Sequence, residues 1–156
     1  WEDHQALVAG NLVVELGPGS HAIELQWKKA GPETTTWSNL PDASDGHTSG
    51  RSIVVTGQHQ VLEYSDSPQD DAITSAYKWE ELDGSTVSFE LPEPTSVRLL
   101  YGFTAQADPV APSSVLQGLD EVTARLAVDG VPYREGSAAF ALQTKTAAVG
   151  HLGGDL

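Results

Sequence analysis

The chain has 156 residues, 39% of them hydrophobic, and its 22 acidic and 8 basic residues give a formal net charge of −14. This length and apolar fraction suit a single folded domain over residues 1–156 and exclude a disordered tail. The negative charge repels phosphate backbones and anionic lipid, and no apolar run approaches the length that crosses a bilayer. We therefore expect no nucleic-acid partner and no membrane insertion.

The residue types that are absent narrow the class of protein further. With no Cys, the chain has neither a disulfide framework nor a thiolate metal site. With no Met, even at position 1, we expect a processed product or a segment of a longer protein. The acidity and the many Ser, Thr, Gly and Pro residues favour an extracellular or cell-surface location.

The first third of the chain predicts two strands and a long loop. Residues 12–16 and 23–27 both alternate apolar and polar side chains, and residues 17–20 (Gly-Pro-Gly-Ser) suggest a turn that joins them as a hairpin. The polar stretch 29–50, interrupted by Pro and Gly, predicts a loop. The apolar face of the hairpin consists of Leu12, Val14, Leu16, Ile23, Leu25 and Trp27.

The middle of the chain predicts further hairpins. Residues 51–64 are strand-like, but the apolar parity changes along them, and Gly57 is the natural place for a bulge or strand break. Residues 65–71 predict an acidic loop. Residues 77–91 predict a second hairpin around the turn at 83–85 (Asp-Gly-Ser).

Beyond a corner at Pro92 and Pro94, residues 97–103 predict a long strand, and residues 122–128 alternate into Asp129-Gly130, the signature of a type I′ turn. Further strands are predicted at 131–133, 138–142 and 147–156. About nine strands with turns roughly every ten residues predict an all-β, antiparallel β-sandwich of jelly-roll type. Its core should contain Ile23, Leu25, Trp27, Phe89, Leu99, Tyr101, Leu126 and Val128.

The two ends of the chain resemble each other. Residues 8–16 and 148–156 share the pattern Gly-x-Leu-x-x-acid-Leu at an offset of 140 residues. The chain is then one period of a tandem repeat cut out of phase, or either terminal strand occupies the same groove in a neighbouring subunit. Both interpretations favour head-to-tail assembly. The predicted assembly interface comprises Leu7, Leu12, Val14, Leu16, Val149, Leu152 and Leu156.

Several strand signatures carry a family resemblance. The most specific is His21-x-Ile23-x-Leu25-x-Trp27. Others are Trp79-x-x-Leu82, Val87-x-Phe89-x-Leu91, Ser96-Val97-x-x-Leu100-Tyr101 and Ala124-Arg125-Leu126-x-Val128-Asp129-Gly130. Together they resemble the jelly-roll modules of the complement globular head and tumour-necrosis-factor superfamily, and most closely the domain of collagen-triple-helix-repeat-containing proteins. The resemblance implies a binding and assembly module without catalytic residues. The His21 strand comes second here and near the end in that family, which implies a permuted or tandem-array segment.

The polar residues predict no catalytic, cofactor or metal site. The five His residues lack zinc-site spacing, and no Gly-x-Ser-x-Gly motif occurs. The carboxylates are interpreted as a solvated acidic surface, although a glycosidase also uses a carboxylate pair. Ca²⁺ is the ion that the acidic loops would suit, but their spacing does not match an EF-hand. The candidate Ca²⁺ ligands are Asp66, Asp70 and Asp71 or Asp42 and Asp45, and Glu80, Glu81 and Asp83 form a separate acidic group.

Two Trp residues and one Thr run are candidates for contact with sugars. Trp37 in the predicted long loop and Trp1 at the terminus are candidates for a glycan platform or a subunit contact. No Asn-x-Ser/Thr sequon occurs, whereas Thr34, Thr35 and Thr36 would permit O-glycosylation. We therefore expect a structural subunit or repeat of an extracellular fibre or surface adhesin, with copies of itself as partners. The alternatives are a lectin-like carbohydrate-binding module and, after it, a glycoside-active enzyme.

Overall fold

A computed structural model describes residues 4–30, 35–39, 51–58, 60–67, 71–73, 77–109 and 119–143. This part of the chain contains twelve strands and no helix, so it holds no helix able to span a membrane. The strands are β1 (His4–Leu16), β2 (Gly19–Ala30), β3 (Thr35–Asn39), β4 (Arg51–Gly57), β5 (Gln60–Ser67), β6 (Asp71–Ile73), β7 (Glu80–Glu81), β8 (Val87–Leu91), β9 (Thr95–Pro109), β10 (Leu119–Val128), β11 (Val131–Pro132) and β12 (Ala138–Gln143). Every pairing between them is antiparallel, which confirms the predicted all-β, antiparallel sandwich. The jelly-roll connectivity stays a prediction.

The first sheet is organised around the long strand β9. β1 pairs with β9 from residue 95 to residue 107. β4 pairs with residues 97–103 and β3 with residues 106–109 of the same strand. Since a strand has only two edges, β4 and β3 lie end to end on one edge of β9 and β1 lies on the other. β5 and β6 extend the sheet beyond β4 and β3.

The second sheet has the same plan around β10 and β2. These two strands pair over eight residues. β12 and β11 follow each other along the far edge of β10, and β8 and β7 follow each other along the far edge of β2. The sheets stack so that β1 lies beside β12 and β5 lies beside β8.

The core lies between the sheets and follows the predicted parity. All eight predicted core residues are buried, and the ring centroids of Trp27 and Phe103 meet edge to face at 5.9 Å. Lys29 and Arg51 lie at inward positions of β2 and β4. Both are buried and interact with other groups. The apolar core members from both sheets include Val8, Leu12, Val14, Ile23, Leu25, Trp27, Ile53, Val55, Leu82, Val87, Phe89, Leu91, Val97, Leu99, Tyr101, Phe103, Val122, Ala124, Leu126 and Val128.

The predicted hairpin of β1 and β2 is wrong. β1 pairs with β9 in the first sheet, whereas β2 pairs with β10, β8 and β7 in the second. Gly17 and Pro18 therefore connect the two layers, and Gly19 follows with a φ of 118° that favours Gly. Period-two alternation identifies the buried face of a strand, but it does not identify the neighbouring strand.

The predicted hairpin within residues 77–91 is also wrong. β7 and β8 do not pair with each other; both pair with β2. Between them, the buried hydroxyl of Ser85 accepts a hydrogen bond from the N–H of Leu25 at 3.3 Å and donates one to its carbonyl at 3.2 Å. The N–H of Leu82 donates to that same carbonyl at 2.9 Å. These bonds supply partners for the N–H and C=O groups of Leu25 in β2, at the point where neither β7 nor β8 pairs with it.

Two predicted turns are confirmed. β4 ends at Gly57 and the register with β5 shifts after Val55, as the change of parity indicated. Asp129 and Gly130 have φ values of 51° and 82°, which is the type I′ geometry.

Two predicted loops are partly strand, because β3 lies within residues 29–50, and β5 and β6 occupy residues 65–67 and 71. The predicted strand at 147–156 lies outside the described residues.

Candidate functional site

The free edge of β1 is the first part of the candidate site. Among the described strands, only β9 pairs with this 13-residue strand, and β12 of the second sheet lies beside β1 without pairing to it. The turn at Gly136 lies against this edge, because a Cβ on Gly136 would collide with the carbonyl oxygen of Asn11. An edge of unpaired N–H and C=O groups is a template for pairing with another chain.

The outer face of the first sheet is the second part. Leu100 of β9 lies in register with Asn11 of β1 and Val54 of β4, and Val54 lies in register with Tyr64 of β5. The neighbouring row brings Val13 opposite Arg98. The exposed fractions of the large apolar side chains on this face are 73% for Leu7, 62% for Val61, 57% for Tyr64, 56% for Val13 and 40% for Leu100. We call the group Leu7, Ala9, Val13, Val54, Val61, Tyr64 and Leu100 the outer patch.

The sequence forms this patch through runs of three apolar residues. Residues 12–14 (Leu-Val-Val), 53–55 (Ile-Val-Val) and 99–101 (Leu-Leu-Tyr) lie in three adjacent strands. Because side chains alternate, the outer two residues of each run enter the core and the middle one faces outward. The sequence prediction used the alternation only to assign the inward residues to the core. It therefore did not identify the outward apolar residues as a group. Three consecutive apolar residues place an apolar side chain on each face of the strand, and this pattern could have identified the outer patch from the sequence.

The charge of this face differs from that of the opposite face. From Leu7 onward, the outward positions of β1, β4 and β9 carry one acidic and one basic described side chain, Glu15 and Arg98, and β5 adds the exposed Glu63 beside Tyr64. The outer face of the second sheet carries Glu24, Lys28, Glu81, Glu90, Glu121 and Arg125. The outer patch therefore carries few described charges for a chain of net charge −14, which reduces the repulsion between two copies that meet there.

The predicted interface residues are divided by the structure. Leu7 is exposed, whereas Leu12 and Val14 are only 4% and 9% exposed and Leu16 packs against the core. Leu12 and Val14 are thus committed to the core of their own subunit and are not available to fill pockets of a neighbour. Val13, which sequence reasoning passed over, faces outward instead. Val149, Leu152 and Leu156 lie outside the described residues.

The predicted sugar contacts are only partly described. Trp37 is in β3, where its backbone pairs with β9 and β6, and not in a loop. Thr35 and Thr36 belong to the same strand, while Trp1 and Thr34 lie outside the described residues. Their roles in glycan contact and O-glycosylation stay predictions.

Metal-ligating side chains do not cluster in the described part of the chain. No group of three or more His, Asp or Glu residues that could hold a metal ion occurs there. Asp66 and Asp71 lie in β5 and β6, and Glu80 and Glu81 form β7. The other predicted loop carboxylates, Asp42, Asp45 and Asp70, lie outside the described residues, and Asp83 lies in the turn after β7.

No family model matches the chain, and neither a curated protein nor a solved structure matches it significantly. The resemblance to the complement-head and tumour-necrosis-factor superfamily therefore stays a prediction. The geometry of this chain alone carries the functional argument.

Proposed function

We propose that this chain is a structural subunit or repeat of an extracellular fibre or surface adhesin, built from copies of itself. The contacts are the free edge of β1 and the outer patch. The observation that carries this proposal is an apolar face with few charges, next to a strand edge with which no described strand pairs, in a chain of net charge −14.

The dimensions of the outer patch are consistent with a specific contact. Four strands about 4.8 Å apart and nine residues with a rise of about 3.3 Å cover roughly 600 Å². Specific interfaces bury about 800 Å² on each partner. The patch alone is thus at the low end, and backbone pairing along β1 would supply additional area and direction.

Head-to-tail joining would place a terminal strand of one subunit on the β1 edge of the next. The predicted partner strand is residues 147–156, whose pattern resembles that of residues 8–16. A heterologous contact that does not close generates a filament. The outer patch would then add lateral contacts between neighbouring subunits.

Matched charge substitutions test the proposal. Leu100→Glu places a charge in the centre of the outer patch, and Val13→Lys places one on its β1 side, so both should reduce self-association in light scattering. Ser88→Glu, at an exposed position on the outer face of the second sheet, is the control. Equal association of all three variants and the unmodified chain would exclude the outer patch as the contact.

The alternative of a carbohydrate-binding module at Trp37 depends on a side chain outside the described set, and no arrangement of the described carboxylates favours a glycoside-active enzyme. Sugar affinity without self-association would favour the first alternative over the fibre subunit.

A further inference from the structure

The outer face of the second sheet holds a cluster of one aromatic and two cationic side chains. Trp79 directly precedes β7, which pairs with β2. The guanidinium carbon of Arg125 lies 3.9 Å from the centroid of the Trp79 ring, and the ammonium nitrogen of Lys28 lies 4.7 Å from it. Arg125 belongs to β10, Lys28 to β2 and Trp79 to the chain entering β7, so the cluster crosses the width of the sheet.

The guanidinium of Arg125 is held in place from two sides. Its Nε donates a 2.8 Å hydrogen bond to Oε1 of Gln26, whose amide donates a 2.7 Å bond to Glu24. Stacking on Trp79 fixes the plane of the guanidinium group. Partial burial lowers the pKa of Arg125 from its ordinary value without removing its charge. Neither terminal nitrogen of Arg125 donates a hydrogen bond within the described residues.

Within the described residues, neither cation forms an ion pair with a carboxylate. Ion pairs elsewhere in the described chain join His21 to Asp129 and Lys78 to Glu80. Lys28 and Arg125 take part in neither, although the chain has 22 acidic residues. A planar fork of donors that is fixed but unfilled has the geometry for an oxyanion, which Arg binds through two parallel hydrogen bonds.

The surroundings favour a sugar over an acidic peptide. Thr123 lies opposite Lys28, and Glu81 lies opposite Gln26. Sugar hydroxyl groups can donate to these oxygens, whereas an acidic peptide brings several carboxylates, and Glu81 and the net charge of −14 would repel each of them. The net charge of −14 also disfavours ligands with many negative charges, so we expect a ligand with one anionic group.

We propose that Arg125, Lys28 and Trp79 form a binding site for a glycan residue that carries a single carboxylate or sulfate group. Arg125 binds two oxygens of the anion, Lys28 supplies a second positive charge, and Trp79 positions Arg125 through its ring. This site is on the opposite sheet from the outer patch and does not depend on self-assembly.

Isothermal titration calorimetry with three methyl glycosides tests the site. The ligands are methyl glucuronide, a methyl glucoside sulfated at position 6 and uncharged methyl glucoside. The chain should bind at least one charged ligand with an affinity that falls as salt is added, and should bind the uncharged one more weakly. Arg125→Gln should weaken binding by about tenfold or more, since bonds to charged groups contribute about 1.5–3 kcal/mol.

The control variants separate binding from folding. Arg98→Gln removes an exposed Arg from the opposite sheet and should leave the affinity unchanged. Arg125→Lys keeps the charge but removes the fork, so it should fold and still lose affinity. The proposal is overturned by equal affinity for charged and uncharged glycosides, by unaltered binding in a folded Arg125→Lys variant, or by binding of an Asp-rich peptide and no glycoside.

Discussion

His21 and Asp129 are joined by a 2.7 Å hydrogen bond from Nδ1 to Oδ2, across 108 residues of sequence. The other ring nitrogen of His21 lies 2.8 Å from the carbonyl oxygen of Gly17. Because both partners are acceptors, the two contacts are both hydrogen bonds only when both ring nitrogens carry a proton, so the geometry favours the protonated imidazole. Asp129 also accepts a 2.8 Å bond from the N–H of Ala22. These bonds connect the passage between the sheets at Gly17 to the type I′ turn of β10 and β11.

This contact predicts a pH dependence of stability. The hydrogen bond to Asp129, and to a smaller extent that to Gly17, raises the pKa of His21 above 6.5. The contribution of His21 to folding stability is therefore complete below pH 6.5 and is lost as the pH rises through the raised pKa. Partial burial alone would raise the pKa of Asp129, but the bonds from His21 and Ala22 outweigh it and lower the pKa below 3.8. The contribution of Asp129 is therefore complete above 3.8 and is lost as the pH falls through the lowered value.

Thermal unfolding from acid to alkaline pH measures this effect. Asp129→Asn keeps the size and the tolerance of a positive φ but removes the charge, so it should lower the melting temperature most in the window between the two ordinary pKa values. A partly exposed pair contributes up to about 1 kcal/mol, or roughly 2–4 °C for a domain of this size. A constant difference between the variant and the unmodified chain at every pH would contradict the charged pair.

Gly10 predicts a packing limit on β1. A Cβ at this position would collide with the carbonyl oxygen of Gly136 and would lie 2.6 Å from the hydroxyl of Tyr101, which itself donates a 2.8 Å bond to that carbonyl. Gly10→Ala should therefore cost about 1–3 kcal/mol in chemical denaturation, as overpacking does. Gly17→Ala, with no atom within 4 Å of its Cβ, is the matched control and should cost clearly less. Equal losses would show that the turn at Gly136 moves away freely.

Trp27 predicts the largest loss from a single core substitution. It is fully buried and meets Phe103 edge to face. Trp27→Ala should cost about 3–5 kcal/mol in free energy of unfolding. Trp79→Ala removes a Trp from the outer face of the second sheet and should cost much less. A loss at Trp27 no greater than that at Trp79 would contradict the register of β2.

The correct and incorrect sequence predictions have a common physical basis. The side-chain period of two determines which face of a strand is buried, so Trp27 and Leu99 could be assigned to the core from the sequence. The choice of a neighbouring strand depends on contacts between residues distant in sequence. The pairing of β1 with β9 and of β2 with β10 could therefore not be predicted from the sequence. The cluster at Trp79 brings together side chains from β2, from β10 and from the segment before β7, and its cation–π geometry has no local sequence signal.

The acidic segments predict little response to calcium. No cluster of metal-ligating side chains occurs among the described residues, and the spacing of the Asp residues matches no EF-hand. Addition of Ca²⁺ or of a chelator should leave the melting temperature nearly unchanged in differential scanning fluorimetry. A rise of many degrees would contradict this, since a ligand at about 100 times its dissociation constant adds about 2.7 kcal/mol.

Self-association of the unmodified chain is the central claim, and sedimentation velocity over a wide concentration range tests it most directly. The free edge of β1 and the outer patch predict species well above the 16.5 kDa monomer, whose fraction rises with concentration and falls when Leu100→Glu is introduced. Removal of residues 147–156 should also reduce these species if the terminal strand is the partner of β1. A single monomeric boundary at every concentration would contradict the account.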